Sequence, residues 1–186
     1  MARLKLELGA GHRPTRGYEH NDLHPFPHIE HVGEAWMLDL PDNSVDEVLA
    51  LAFIEHLTYD HALDTFRNVH RMLKPGGVFL FDVPDYPTWV RYYLRHLGNY
   101  NEAHPEGIPD LAHVKRTLFG WQRWPGDEHL YGWDRGSLFT ALRATGFEWE
   151  GPDQNVEGVM RFIDRGLYRQ RFYNLADAHI YMAVTK

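Results

Sequence analysis

Apolar and polar positions alternate along the chain in blocks that predict strands separated by helices. Four apolar runs are predicted to be strands: Leu4–Leu8, Glu34–Leu38, Val45–Ala52 and Val78–Val83. Before the last of these, apolar residues recur at helical spacing, with Thr58 as the predicted N-cap and Pro75-Gly76-Gly77 as the stop. A strand, a helix and a second strand in this order make a right-handed parallel crossover. The pattern therefore predicts an α/β fold.

The carboxyl-terminal part of the chain predicts further helices and strands. Trp89–Leu97 has the spacing of an amphipathic helix, and Asp134 is placed to cap a short helix that stops at Gly146. A strand is predicted at Phe147–Glu150. In residues 179–184, Ile180, Met182 and Val184 alternate with His179, Tyr181 and Ala183. This period of two is the pattern expected of a strand at the margin of a sheet.

The first predicted strand runs directly into Gly9-Ala10-Gly11, where two glycines remove the Cβ atoms that would block a sharp turn and a closely approaching ligand. A dinucleotide site needs a third glycine three positions further on, where this chain has Pro14. A diphosphate ligand is therefore disfavoured. The turn suits a nucleoside without phosphates, such as S-adenosylmethionine, whose ammonium group could be received by Glu7.

Composition narrows the class of protein. The 186 residues fit one domain, and the absence of cysteine excludes disulfides and thiolate chemistry. We expect no secretory signal and no membrane span, because no apolar run approaches about 20 residues. A cytoplasmic location is expected. The formal net charge of −7 makes nucleic acid an unfavourable partner.

Six short motifs occur in register along the first half of the chain: Leu6–Gly11, Gly17–Asp22, Leu38–Pro41, Ser44–Val48, Glu55–Leu57 and Arg71–Gly77. In this order and spacing they resemble the class I S-adenosylmethionine-dependent methyltransferases, in particular the compact type-11-like group. The resemblance covers residues 4–85 and resumes loosely at 133–147 and in the terminal strand. It implies a Rossmann-like, mainly parallel sheet with an antiparallel last strand, and S-adenosylmethionine as the cofactor.

The resemblance also implies which residues bind that cofactor: Glu7, Gly9, Ala10, Gly11, Asp22, Asp39, Leu40, Ala52 and Phe53. Asp22 would accept hydrogen bonds from the ribose hydroxyls, and Asp39 from the adenine amino group, with Leu40 against the ring. Each assignment has a structural alternative. Either aspartate could simply stabilise a turn, and Phe53 could belong to the core.

The chain departs from the family pattern in its first crossovers. Only ten residues separate Gly11 from Asp22, and Pro25 and Pro27 interrupt the next segment, so abbreviated helices are predicted there. Four histidines, His20, His24, His28 and His31, lie in this stretch, and the same prolines prevent a helix on which the first three would share a face. No standard ligand spacing occurs, and we predict no metal site.

Acceptor specificity is predicted to lie in an aromatic-rich insertion or lid at residues 86–132, within a single domain covering residues 1–186. Four aromatic residues are candidates for a wall that stacks against a sugar, a ring or a base: Trp121, Trp124, Tyr131 and Trp133. His129 is the preferred general base and His56 the second candidate. Glu55-His56 is common in the resembling group whatever the substrate, so that pair could instead hold the loop after the strand.

The function predicted is methyl transfer from S-adenosylmethionine to a small-molecule or glycan acceptor, at a hydroxyl or less favourably at an amine. Two alternatives stay open, a cofactor-binding module without transferase activity and a nucleotide-dependent oxidoreductase. Arg161, Arg165 and Arg169 would form a basic stripe on a helix, which would suit an anionic acceptor, an acidic partner or a second copy of the chain.

Overall fold

The computed structural model describes residues 3–97, 111–148 and 179–186. Its strands are β1 (Lys5–Leu8), β2 (Glu19–Asp22), β3 (His31–Val32), β4 (Val45–Ala50), β5 (Leu73–Pro84) and β6 (His179–Thr185). They form one sheet in the order β3-β2-β1-β4-β5-β6. The first five strands are parallel, and β6 pairs antiparallel with β5. The predicted mainly parallel sheet with an antiparallel last strand is confirmed.

The helices are α1 (Tyr59–Met72), α2 (Tyr86–His96), α3 (Leu111–Phe119) and α4 (Arg135–Ala144), with short 3-10 helices at Ala35–Met37 and Ile54–His56. Both predicted N-caps are confirmed. The Thr58 side chain accepts a hydrogen bond from the backbone nitrogen of His61, and Asp134 accepts from those of Gly136 and Ser137. These acceptors satisfy amide groups that have no partner within the first turn of a helix.

The predicted strand at Glu34–Leu38 is wrong, because this segment contains the 3-10 helix Ala35–Met37 and the third strand is His31–Val32. The ring of Trp36 stacks on His61 of α1, with ring centroids 3.9 Å apart. The Asn68 side chain, also on α1, donates hydrogen bonds to the carbonyl oxygens of Ala35 and Leu38. Packing and hydrogen bonding against the helix therefore replace pairing with a strand.

The ends of two other predicted strands also differ. Strand β5 starts directly after α1. In its pairing with β4, Leu73 lies opposite Val45 and Val78 lies opposite Glu47, so Lys74–Gly77 form a bulge where a turn was predicted. At the predicted strand Phe147–Glu150, Glu148 makes an isolated antiparallel bridge to Thr185. Residues 149 and 150 lie outside the described part of the chain.

The first crossovers are abbreviated, as predicted. Within the continuous range 3–97, no helix occurs between β1 and β2 or between β2 and β3. The chain passes from one strand to the next through turns and loops at residues 9–18 and 23–30. The chain beside the carboxyl ends of β1 and β2 is therefore formed by loops, and the first of these loops carries Gly9, Ala10 and Gly11 of the predicted cofactor residues.

The main core lies between one face of the sheet and helices α1 and α4. It contains Val48 and Ala50 of β4, Phe66 of α1 and Leu142 of α4, all fully buried. Leu49 points to the opposite face, where it packs with Tyr18 and Leu80. Helices α2 and α3 form a separate cluster around Trp89 and Val114.

None of the helices in the described ranges combines the length and apolar character needed to cross a membrane.

Candidate cofactor and acceptor site

The glycine turn, Gly9-Ala10-Gly11, lies at the carboxyl end of β1 beside the ends of β2 and β4. Gly9 and Gly11 have φ angles of 63° and 56°, a left-handed conformation that glycine adopts without steric cost. The backbone nitrogen of Ala10 donates a hydrogen bond to Asn21 of β2, over 3.1 Å. The carboxyl edge of a parallel sheet is where ligands bind in open α/β folds, so the turn has the expected position for a nucleoside site.

Phe53 covers the glycine turn from the β4 side. A Cβ atom on Gly9 would be only 2.3 Å from Cδ2 of the Phe53 ring, so the ring packs directly on the glycine backbone. The preceding residue, Ala52, has a φ of 48°, and its backbone nitrogen donates a 2.9 Å hydrogen bond to the buried Asp82. Asp82 therefore holds the unusual turn that places Phe53.

Asp22, at the end of β2, joins two backbone segments of the site. Its carboxylate accepts hydrogen bonds from the backbone nitrogens of Gly11 and His24, each over 2.8 Å. A carboxylate has about four acceptor positions, so it can accept further hydrogen bonds from a ligand. The geometry is compatible with the predicted contact to a pair of ribose hydroxyls.

Glu7 has a contact that the sequence did not predict. Its carboxylate accepts hydrogen bonds from the backbone nitrogen of Thr15, over 2.6 Å, and from the Thr15 hydroxyl, over 2.8 Å. The residue is buried, and burial raises the pKa of the carboxyl above its usual value, although the bonds from Thr15 oppose this. In this structure Glu7 holds the loop after the glycine turn.

The four histidines near β2 each contact a separate acceptor. His20 lies beside Glu30 and the carbonyl of Thr15, His24 beside Asp22, and His31 beside Glu19. The His28 ring donates to the carbonyl oxygen of Gly11 over 2.8 Å. Through this last bond, the loop at residues 23–30 lies against the glycine turn.

The proposed adenine residues follow the 3-10 helix Ala35–Met37. Asp39 is exposed, and the Leu40 side chain packs against the main core. The carbonyl oxygen of Leu40 accepts a 2.7 Å hydrogen bond from the Arg71 guanidinium. The segment is thus fixed against α1, with Asp39 open to solvent.

The two histidines predicted to be catalytic lie together. The rings of His56 and His129 are arranged edge to face, with centroids 4.8 Å apart. Glu55 lies beside them, and one ligand atom from each of Glu55, His56 and His129 falls within 4.8 Å of the others. We call these three residues the Glu-His-His cluster.

Hydrogen bonds connect the loop after β4 to the segment that carries His129. His56 Nδ1 donates to the carbonyl oxygen of Glu128 over 3.0 Å, and the backbone nitrogen of Leu130 donates to that of Glu55 over 2.8 Å. Asp127, next to this segment, is bound twice by the Arg123 guanidinium. Glu55 and His56 therefore bind the segment that carries His129, which agrees with the alternative that this pair holds the loop after β4. The second ring nitrogen of His56 keeps its lone pair.

Burial controls the ionisation of the cluster. It raises the pKa of Glu55 well above its usual value, and the nearby charge of Asp82 raises it further. It lowers the pKa of His56, and it lowers that of His129 to about 4, with the neighbouring His56 adding to the effect. Both imidazoles are neutral at pH 7, and a pKa of about 4 makes His129 a weak base.

The four aromatic candidates for an acceptor wall divide into two exposed and two packed residues. Trp121 and Trp124 are 38% and 43% exposed, and the Arg123 guanidinium lies 4.2 Å from the Trp124 ring. Tyr131 packs partly buried against the core. Trp133 is fully buried, in contact with Phe66, so its assignment to a substrate wall is wrong. Its ring fills the core and supports Tyr131 instead.

The pair formed by Asp82 and His179 was not predicted from the sequence. Both residues are buried, and His179 Nδ1 lies 2.9 Å from Asp82 Oδ2. The signal was present, since Asp82 is the one charged residue in the apolar run Val78–Val83. Its partner could not be found locally, because His179 lies on β6. The basic stripe predicted at Arg161, Arg165 and Arg169 lies outside the described residues.

Comparison with known proteins finds one matching domain family. Residues 18–81 match the family model described as a methyltransferase domain. Among curated proteins, no sequence matches the chain.

Three solved structures with a similar fold share little sequence with the chain. An S-adenosylmethionine-dependent methyltransferase from Mesorhizobium loti is 17% identical, with a TM-score of 0.52, over 98% of this chain and 90% of that chain. A methyltransferase from Archaeoglobus fulgidus is 14% identical, with a TM-score of 0.56, over 100% and 86%. A chain in the complex of the Haloferax volcanii Trm112 methyltransferase activator with a putative methyltransferase is 17% identical, with a TM-score of 0.56, over 98% and 82%.

Residues 18–81 match a methyltransferase domain and the fold is similar to that of S-adenosylmethionine-dependent methyltransferases, so the comparisons support S-adenosylmethionine as the cofactor. The residues present fit this cofactor. Gly11 has open space where a side chain would project, with the nearest atom 4.0 Å from a Cβ position. Asp22 has acceptor capacity beside that space.

Proposed function

We propose that the protein transfers the methyl group of S-adenosylmethionine to a hydroxyl of a small molecule or glycan. The observation that carries the proposal is the packing of Phe53 on Gly9. Phe53 directly precedes the short helix Ile54–His56, which carries Glu55 and His56 of the Glu-His-His cluster. This contact supports a proposal in which cofactor and acceptor bind at the same edge of the sheet.

The cofactor-binding roles are assigned by position. Gly9, Ala10 and Gly11 form the cradle, Asp22 binds the ribose hydroxyls, and Glu7 keeps the loop in place. The exposed Asp39 binds the adenine amino group, with Leu40 and Phe53 supplying apolar contacts. When bound, the cofactor supplies a methyl group made electrophilic by its sulfonium. The protein's own contribution is to orient the acceptor and exclude water.

The acceptor is placed on the side of the Glu-His-His cluster. Trp121 and Trp124 offer exposed ring surface for an aromatic compound or the apolar face of a sugar. His12, the residue directly after the glycine turn, lies beside Trp124, with ring centroids 6.3 Å apart. This contact supports an acceptor-binding role for Trp121 and Trp124 near the cofactor residues. His56 and His129 then face the acceptor oxygen with neutral rings and act as hydrogen-bond acceptors for its hydroxyl.

Nucleic acid is the less favoured acceptor. The net charge of −7 opposes contact with phosphates. The residues after β4 are Ala52-Phe53-Ile54-Glu55, where amino methyltransferases of nucleic acids carry an Asp/Asn-Pro-Pro-aromatic run.

The lack of cysteine fits a cytoplasmic location, which we include in the proposal.

The proposal is tested by incubating the protein with methyl-labelled S-adenosylmethionine and matched acceptors that carry either hydroxyls or amines, including monosaccharides and phenols. We expect label in a methyl ether, with one S-adenosylhomocysteine formed per methyl transferred. Label in amines alone would contradict the hydroxyl assignment. Cofactor binding without transfer across the whole panel would favour a binding module, and binding of NAD alone would favour an oxidoreductase.

A further inference from the structure

We infer that the Glu-His-His cluster, formed by Glu55, His56 and His129, is a binding site for a divalent first-row transition-metal ion. The sequence predicts no metal site, because Pro25 and Pro27 interrupt the histidine group around β2 and no standard ligand spacing occurs. In the folded chain, a different group comes together, with one ligand atom from each residue within 4.8 Å of the others.

The buried carboxylate of Glu55 is an independent indication of a ligand. Glu55 is only 3% exposed, and among the described residues its Oε2 atom has no hydrogen-bond partner. A buried polar atom without a partner costs about 1–3 kcal/mol, and more when it is charged. A cation bound by His56 and His129 as well would satisfy this oxygen.

The two imidazoles are already oriented as ligands. His56 donates through Nδ1 to the carbonyl oxygen of Glu128, and the backbone of Thr117 lies close enough to the His129 ring to oppose the lowering of its pKa. Each ring therefore keeps one nitrogen with an available lone pair. A bond from the second ring nitrogen to a backbone carbonyl is the usual support for a metal-bound histidine, because it fixes the ring orientation and makes the ligand more basic.

Charge and geometry suit a divalent ion. The carboxylates of Asp82 and Asp127 lie close enough to act on the cluster, and the Arg123 guanidinium is already bound to Asp127. Ligands about 2.0–2.2 Å from an ion lie roughly 3–3.6 Å apart, so side-chain shifts of about 1 Å would close the site. Two imidazoles and one carboxylate favour zinc, iron or manganese over calcium or magnesium.

Three protein ligands leave at least one coordination position open. His56 and His129 are partly exposed whereas Glu55 is buried, so the open positions face the accessible side of the cluster. If the proposed function is correct, an acceptor oxygen binds at such an open position. In the metal-bound protein the ion takes the imidazole lone pairs, so this contact replaces the hydrogen bonds from the hydroxyl to His56 and His129.

The inference is tested on the metal-free protein without cofactor, by calorimetric titration with Zn²⁺ and Mn²⁺ and by the visible absorption of Co²⁺. We expect one ion per chain, with affinity reduced at least about 100-fold in His129→Gln and in Glu55→Gln, which keeps the shape of the side chain. His24→Gln, on an exposed histidine of the β2 group, is the matched control and is expected to retain binding. Unfolding curves recorded without metal check that each variant is folded.

Three results would overturn the inference: no saturable binding of either ion, full affinity in folded Glu55→Gln, or loss of binding in His24→Gln. Because the readout is binding in the absence of cofactor, failure of methyl transfer leaves the test unaffected.

Discussion

The ring of Phe53 lies directly on Gly9, so closely that a Cβ atom on that glycine would be 2.3 Å from Cδ2 of the ring. One contact thereby joins the loop after β4 to the glycine turn after β1. Any side chain at position 9 must displace the aromatic ring, and with it the short helix that carries Glu55 and His56. The short helix proposed to face the acceptor is therefore joined to the glycine turn proposed to hold the cofactor.

Gly9→Ala is expected to lower the free energy of unfolding by about 2–4 kcal/mol, since it adds both backbone strain and a clash with Phe53. Gly17→Ala is the matched control. Gly17 also has a positive φ, 90°, but has nothing within 4 Å of its Cβ position, so the loss should be about 1–2 kcal/mol. Urea unfolding of both variants measures the difference. Equal losses would show that the contact with Phe53 contributes nothing.

Glu7 should make stability depend on pH. Burial raises the pKa of its carboxyl in the folded protein above the usual 4.5, so the folded state retains a proton that the unfolded state releases. The stability contribution is complete below pH 4.5 and is lost as the pH rises through the raised folded pKa. Glu7→Gln removes the titrating group while keeping an acceptor for the Thr15 nitrogen.

The melting temperature of Glu7→Gln, measured at intervals from pH 4.5 to 7, should therefore fall less steeply with pH than that of the wild type. Parallel curves for the two proteins would mean that the Glu7 pKa is not raised.

Substitution of Trp124 should affect acceptor binding, whereas substitution of Trp133 should affect the stability of the fold. Trp133→Ala is expected to cost about 3–5 kcal/mol of unfolding free energy because the ring is fully buried. Trp124→Ala, at a residue 43% exposed and stacked on Arg123, should cost about 1 kcal/mol or less. Once an acceptor is found, Trp124→Ala should raise its KM several-fold with a smaller change in kcat. An unchanged KM would remove Trp124 from the acceptor site.

Local patterns were enough to predict most of the fold. Helix α1 and its Thr58 cap were visible because the helix carries its own apolar stripe and its own start signal. The segment Ala35–Met37 was mispredicted because its shape depends on Asn68 and His61, which belong to α1. Tertiary contacts overrode a weak local preference there.

The site was predicted unevenly for the same reason. The glycine turn and Asp22 lie close together in sequence and carry a recognisable spacing, whereas His56 and His129 are joined only by the fold. Trp124 and Trp133 both lie within two residues of a glycine, yet one is exposed and the other is in the core. Burial of a single aromatic residue depends on which elements pack over it, and this is not encoded locally.

The central claim is that S-adenosylmethionine binds at the carboxyl ends of β1 and β2, and calorimetric titration of the wild type, Asp22→Ala and Asp64→Ala tests it most directly. Asp64 is an exposed aspartate on α1 that pairs with Arg67 of the same helix, and it serves as the matched control. The account predicts one cofactor per chain, affinity reduced about 10- to 100-fold in Asp22→Ala, and no change in Asp64→Ala. Full affinity in a folded Asp22→Ala protein, or no binding by the wild type, would contradict it.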